Sequence, residues 1–224
     1  MNKHIIIPTR FEEKAESLKQ YFESAGWEVH FVVGAKNIFE AYTRGLETAG
    51  VKAKDKVILC HDDIEILCTP EIFNKLLDKE LDDPRTGFVG VAGSSYINEQ
   101  INWYACSRQN DAGGGMVYHG DSVFTMEPSV YGRKRKAVIL DGLFLATTGK
   151  VLYSINLKRP KVFVSNWHHY DASYCLQAHG KKYVNVISPI PIRHASGGNY
   201  DETYQRDIPV VAGLFDRLLP AIVH

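Results

Sequence analysis

Apolar positions in the first half of the chain recur with two alternating periods. HIIIP (residues 4–8) is a continuous apolar run stopped by Pro8, and after it Phe11, Ala15, Leu18, Phe22 and Ala25 follow at steps of three and four up to Gly26. A short apolar run followed by 3.6-residue spacing predicts a strand and then an amphipathic helix. The pattern repeats. EVHFVVG (28–34) reads as a strand, and NIFEAYTRGLETAG (37–50) reads as a helix with Ile38, Tyr42, Leu46 and Ala49 on one face and Gly50 as its stop. KVILC (56–60) is a third strand, TPEIFNKLLDKEL (69–81) a helix with Thr69 as N-cap and Pro70 at its first position, and GFVGVAG (87–93) a fourth strand. This alternation predicts an α/β fold with a mostly parallel central sheet flanked by helices, whose ligands gather at the carboxyl ends of the strands.

Between residues 94 and 136 the periodicity fades, and AGGG (112–115) and YGRKRK (131–136) fall there. This stretch reads as irregular hairpins and a loop bordering a site. RKRK reads as a solvated face; the alternative is that Arg133 or Arg135 meets a phosphate. Periodicity returns at AVILDGLFLATTGKVL (137–152), a strand, a turn at Asp141-Gly142 and further apolar residues. YDASYCLQAHG (170–180) reads as a helix with Asp171 in its first turn, KYVNVIS as a strand, and PIPIRHASGG as a Gly-rich loop carrying His194. With no linker composition or internal repeat, residues 1–224 are expected to form one domain.

Composition narrows the functional classes. Lys and Arg number 26, as do Asp and Glu, so no global field favours nucleic acid or an anionic membrane, and any anionic ligand must be held locally. No apolar run approaches the ~18 residues of a membrane span. The four cysteines are scattered without a C-x-x-C pair, so a cytoplasmic protein with free thiols is expected.

The candidate chemistry begins where VILCHDDIEI (57–66) drives an apolar strand into His61, Asp62 and Asp63. On their own these carboxylates can equally be a strand-end turn and helix cap. Asp171 can be a carboxylate that stabilises its helix dipole, and His194 an ordinary loop histidine. Trp103 and Trp167 offer aromatic faces that suit either a sugar or the cleft wall.

IIIPTR, NIFEAYTRGLETAG, VILCHDDIEI, LDGLFLATTGK and HHYDASYCLQAHGKKYVNV through IPIRHASGG together resemble the family 2 glycosyltransferases with the nucleotide-sugar-binding GT-A fold, closest to the branch named after a streptomycin-biosynthesis protein. The resemblance implies a metal-dependent, inverting transfer of a sugar from a nucleotide diphosphate donor to a glycan or lipid-linked hydroxyl, as in polysaccharide biosynthesis. It implies Asp63 and His194 as ligands of Mn²⁺ or Mg²⁺, and Asp171 as the base. Pro8, Thr9, Arg10 and Asp62 are implied on the donor side and Asp141 towards the acceptor. This chain departs from the D-x-D pattern at its first position, His61, which leaves open whether His61 or Asp62 meets the ribose. Tyr170 stands where the family has Glu. The alternatives are a non-catalytic nucleotide-sugar or glycan-binding module on the same fold, or a metal-dependent phosphohydrolase, which needs more carboxylate ligands than these.

Overall fold

The computed structural model describes residues 1–109, 111–197 and 200–224. Its central sheet has seven strands in the order Lys136–Ala137, Val184–Ile187, Thr86–Gly90, Phe144–Thr148, Lys56–Cys60, Lys3–Thr9, Glu28–Val33. Five of these point the same way. Phe144–Thr148 runs antiparallel to both neighbours, and Lys136–Ala137 is an antiparallel edge.

The period-two rule explains how this sheet separates two cores. Ile5 and Ile7 pack on one face with Phe22, Phe73 and Phe144, whereas Ile6 faces the other with Tyr42, Phe88 and Tyr174. Two helices of the first half start on side-chain caps. The Asn37 side chain accepts from the Glu40 amide at 2.9 Å to start Ile38–Ala49, which ends on Gly50 at φ 59°. Thr69 caps Pro70–Leu81.

A second, six-stranded sheet decides where the site lies. The chain steps off the end of the central sheet into it after Lys56–Cys60 (to Ile64–Ile66), after Thr86–Gly90 (to Ala92–Ser94) and after Val184–Ile187 (to Ile192–His194). It returns from Ile139–Leu140 to Phe144–Thr148. The predicted strand 87–93 is therefore divided at Val91 between two sheets. His61-Asp62-Asp63 and Asp141-Gly142 occupy two of these crossings.

One expectation is corrected, the loop at His194, and two segments without a clear hydrophobic period gain elements. The glycine run is the start of a strand, Gly113–His119, hydrogen-bonded to Glu127–Arg133. A Cβ on Gly113 would stand 2.0 Å from the Tyr131 carbonyl oxygen and one on Gly114 2.1 Å from that of Lys134, so this ladder needs residues without side chains, which carry no hydrophobic period. His194 closes a short strand, Ile192–His194, pairing with Ile64, and is buried. Glu202–Leu214 is a helix with no counterpart in the sequence reading, capped by Asp201, which accepts from the Thr203 and Tyr204 amides. The four cysteines are free, and among the described residues no helix is long and apolar enough to cross a membrane.

Candidate active site

At the carboxyl end of Lys56–Cys60 the three consecutive residues diverge. The Asp62 carboxylate accepts the Thr9 hydroxyl at 2.6 Å, which ties the ends of two neighbouring parallel strands. His61 turns the other way, where its Nε2 lies 2.7 Å from the Tyr170 hydroxyl, which itself donates to the Gly142 carbonyl at 2.9 Å. Because the phenol spends its only proton on that carbonyl, it accepts from His61 Nε2–H, and the lone pair of His61 Nδ1 is left facing His194 and Asp63.

The Asp63 carboxylate lies 3.2 Å from His194 Nε2 and 3.8 Å from His61 Nδ1, and the two imidazoles are 3.5 Å apart. The Asp63 carbonyl also accepts from the Ala195 amide, joining the strand end to the His194 strand. Burial opposes ionisation of Asp63, yet the hydrogen bond and charge of His194, with Ser196, hold its carboxyl well below the usual range. His194 is raised, since its bond to Asp63 outweighs burial, and His61 is lowered by burial and the neighbouring His194. His61, Asp63 and His194 present one nitrogen or oxygen each within 4.8 Å of one another, a donor set that suits a divalent first-row ion.

Two hollows meet at the Asp63–His194 contact. The larger, about 1190 Å³, is lined by Pro8, Thr9, Arg10, Asp62, Asp63 and Trp167, with Lys14 and Gly34. It is large enough for a nucleotide sugar, and Arg10 and Lys14 bring exposed cationic side chains to it. The smaller, about 460 Å³, holds Asp141, Asp171 and His194 among Trp103, Tyr131, His168 and Tyr200. Pro8, Thr9, Arg10, Asp62, Asp63 and Trp167 thus line the larger surface and Trp103, Asp141, Asp171 and His194 the smaller, while His61 lines a small hollow with Tyr170 and Trp167. Two other residues lie elsewhere. Arg135 pairs with Glu80 at 2.5 Å. Arg133 lines a separate hollow with Pro189 and Pro191.

Asp171 opens the helix Tyr170–Gly180 and accepts from the Ala172 amide at 2.8 Å. Burial and the nearby Asp141 carboxylate raise it to about 7. Its direction is set by the C-terminal helix. His169 precedes it at φ 60°, a conformation unfavourable for a non-glycine residue. It is held there by a 4.3 Å stack on Tyr204 and by an Nε2–H bond to the Tyr204 carbonyl at 2.9 Å. Asp207, fully buried on the same helix, accepts from the Val164 and Ser165 amides at 2.8 Å each. Ser165 Oγ then accepts from the Trp167 and His168 amides.

The sequence reading missed His119, Tyr131, Tyr200 and Tyr204, which lie in the aperiodic middle or beyond His194. His119 Nε2 lies 3.3 Å from the Tyr131 hydroxyl, and its ring is 5.9 Å from His194. Only the density of aromatic residues in those stretches signalled them.

A mixed sheet with helices on its faces and an acid- and imidazole-lined cleft beyond the strand ends defines a nucleotide-diphospho-sugar transferase architecture of the GT-A type. The chain belongs to the glycosyltransferase-like family whose model matches residues 9–210. No curated protein matches the sequence. Among solved structures, CMP:2-keto-3-deoxy-manno-octonic acid synthetase complexed with CTP is 12% identical over 97% of this chain and 100% of that one, with a TM-score of 0.38.

Proposed function

We propose that this chain is a single transferase domain, of the branch named after a streptomycin-biosynthesis protein. It moves a sugar from a nucleoside diphosphate donor to a hydroxyl of a glycan or lipid-linked acceptor in the cytoplasm, for polysaccharide assembly. The observation that carries this reading is the Asp63–His194 contact at the junction of a large cleft with exposed cations and a smaller aromatic one that holds a carboxylate raised to about 7.

The donor lies in the larger cleft. Arg10 and Lys14 attract the diphosphate, Trp167 offers an aromatic face to the base or the sugar, and the Thr9–Asp62 pair presents a fixed carboxylate to a ribose hydroxyl. Asp63 and His194, with His61 Nδ1 beside them, would hold Mn²⁺ or Mg²⁺; two imidazoles favour Mn²⁺. When bound, such an ion neutralises charge on the departing diphosphate as a Lewis acid.

The acceptor lies in the smaller cleft. Its hydroxyl oxygen attacks the anomeric carbon and its proton passes to Asp171. The bond from that carbon to the diphosphate oxygen breaks, and its electron pair leaves with the nucleoside diphosphate. Attack from the side opposite the leaving group inverts the configuration. A base whose pKa lies near neutrality suits this step, because it is ionised in the resting enzyme yet accepts a proton readily. Burial raises Asp171 most, and the neighbouring Asp141 carboxylate adds to it.

The test is a melting-temperature screen of nucleoside diphosphates and nucleotide sugars with and without Mn²⁺, since a ligand selective for the native state raises the melting temperature by mass action. A metal-dependent rise for one nucleotide, lost in Asp63→Ala, and acceptor-dependent release of that nucleoside diphosphate, lost in Asp171→Asn, is the expected result. Donor binding without turnover across acceptors would instead mark a binding module.

A further inference from the structure

At the opposite end of the central sheet, roughly 16 Å along the Lys3–Thr9 strand from Thr9, lies a second group of ligand-type side chains. Parallel pairing sets His4 opposite Glu28 and Ile6 opposite His30, and the two-residue period puts His4, Glu28 and His30 on one face of the sheet. His4 Nδ1 is 3.2 Å from His30 Nε2 and 3.2 Å from Glu28 Oε2, and His30 Nε2 is 3.7 Å from Glu28 Oε1. His30, Glu28 and His4 offer one atom each within 4.8 Å of one another.

These separations have the size of a coordination edge. Zinc-to-nitrogen bonds of about 2.0–2.1 Å at tetrahedral angles put two ligand atoms about 3.3 Å apart. His4 is also already turned for the task. It is buried, and its Nε2 faces the Asp55 carboxylate at 3.6 Å with no closer hydrogen-bond partner. Asp55 in turn is fixed by the Asn2 and Lys52 amides at 2.8 Å each. Asp55 lies on the side of Nε2, which leaves Nδ1 as the ring atom that faces His30 and Glu28. In the metal-free chain His4 Nδ1, His30 Nε2 and the Glu28 carboxylate share a proton, and a cation takes its place.

We propose that His4 Nδ1, His30 Nε2 and the Glu28 carboxylate form a zinc site, completed by solvent and oriented by Asp55, which clasps the edge strand Glu28–Val33 to its neighbour. Two imidazoles and one carboxylate select zinc or a similar transition ion over Mg²⁺ or Ca²⁺. The site is independent of the catalytic reading, because it shares no residue with it and lies at the other end of the strands.

The experiment is a Zn²⁺ titration of the metal-free full-length chain by calorimetry, with melting curves, in the Asp63→Ala variant so that the His61–Asp63–His194 group is disabled. Asp63→Ala is expected to bind one zinc per chain and to melt higher with zinc than without. Adding Glu28→Gln or His30→Gln should weaken that binding at least about tenfold and abolish the zinc-induced rise. Glu28 is 63% exposed, so Glu28→Gln should leave the metal-free melting temperature unchanged and separates ligand loss from misfolding. Failure of Asp63→Ala to take up zinc, or zinc binding that Glu28→Gln and His30→Gln both leave unaltered, overturns the proposal.

Discussion

The Tyr170 hydroxyl bridges His61 Nε2, 2.7 Å away, and the Gly142 carbonyl, 2.9 Å away, and so fixes which nitrogen of His61 faces Asp63 and His194. Removing that hydroxyl alone leaves the half-buried His61 N–H and the buried Gly142 carbonyl without this partner and frees the imidazole to rotate. Tyr170→Phe should therefore weaken Mn²⁺ binding by about 10–100-fold and reduce stability by about 1–3 kcal/mol. Metal titration with parallel melting curves checks both. Unaltered metal affinity would remove His61 from the metal-binding set.

Asp171→Asn keeps the shape of the side chain and removes its basicity. The transfer rate should fall by about 10²–10⁴-fold while donor affinity is retained, as single-turnover transfer and equilibrium donor binding would show. In the wild type the base must be ionised, so the rate should climb with pH through about 7 and then level.

The same shift has a consequence for stability. Folding raises the Asp171 pKa above its unfolded value, so ionising it disfavours the folded state. Asp171→Asn should consequently melt higher than wild type above pH 7. That advantage should shrink as pH falls from about 7 towards the unfolded carboxylate value of about 4, below which both side chains are neutral in both states. A melting-temperature difference that stays constant from pH 4 to 8 would contradict the environment described for Asp171.

Thr9→Val removes the 2.6 Å hydrogen bond that holds Asp62 against the first strand while keeping a side chain of similar shape. Hydrogen bonds to charged groups contribute about 1.5–3 kcal/mol, which bounds the loss of donor affinity at roughly 10- to 100-fold by the RT ln K relation. The effect should appear in donor KM more than in kcat. Steady-state kinetics with varied donor separates the two.

Asp207→Ala leaves the part-buried amide of Val164 and the buried amide of Ser165 without their acceptor. Two such unsatisfied donors cost about 2–5 kcal/mol, equivalent to a fall in melting temperature of about 5–15 °C for a chain of this size. Because the same loop carries Trp167 and His168, the variant should also bind donor and acceptor more weakly. Asp207→Asn, which keeps one acceptor oxygen, should lie between it and wild type.

The hydrophobic pattern by itself determined the strand and helix alternation from His4 to Leu81, because two of the three helices carry their caps at Asn37 and Thr69 and the strand Lys56–Cys60 is buried throughout. It also marked His61-Asp62-Asp63, since charges ending a buried strand stand out locally. Other features have no local signature. Gly113–Gly115 lie in a strand for want of space and offer nothing to a periodicity count. Glu202–Leu214 contains Pro209, which argues against a helix on propensity alone, and tertiary packing of Tyr204 and Asp207 overrides it. The tertiary structure alone decided that Asp62 reaches Thr9 while His61 reaches Tyr170, that His194 closes a strand beside Asp63, and that His4 meets His30. Each of these depends on which strands pair and in what register. Pairing is a contact between segments up to 133 residues apart, whereas capping and amphipathicity are written within a few turns of one segment.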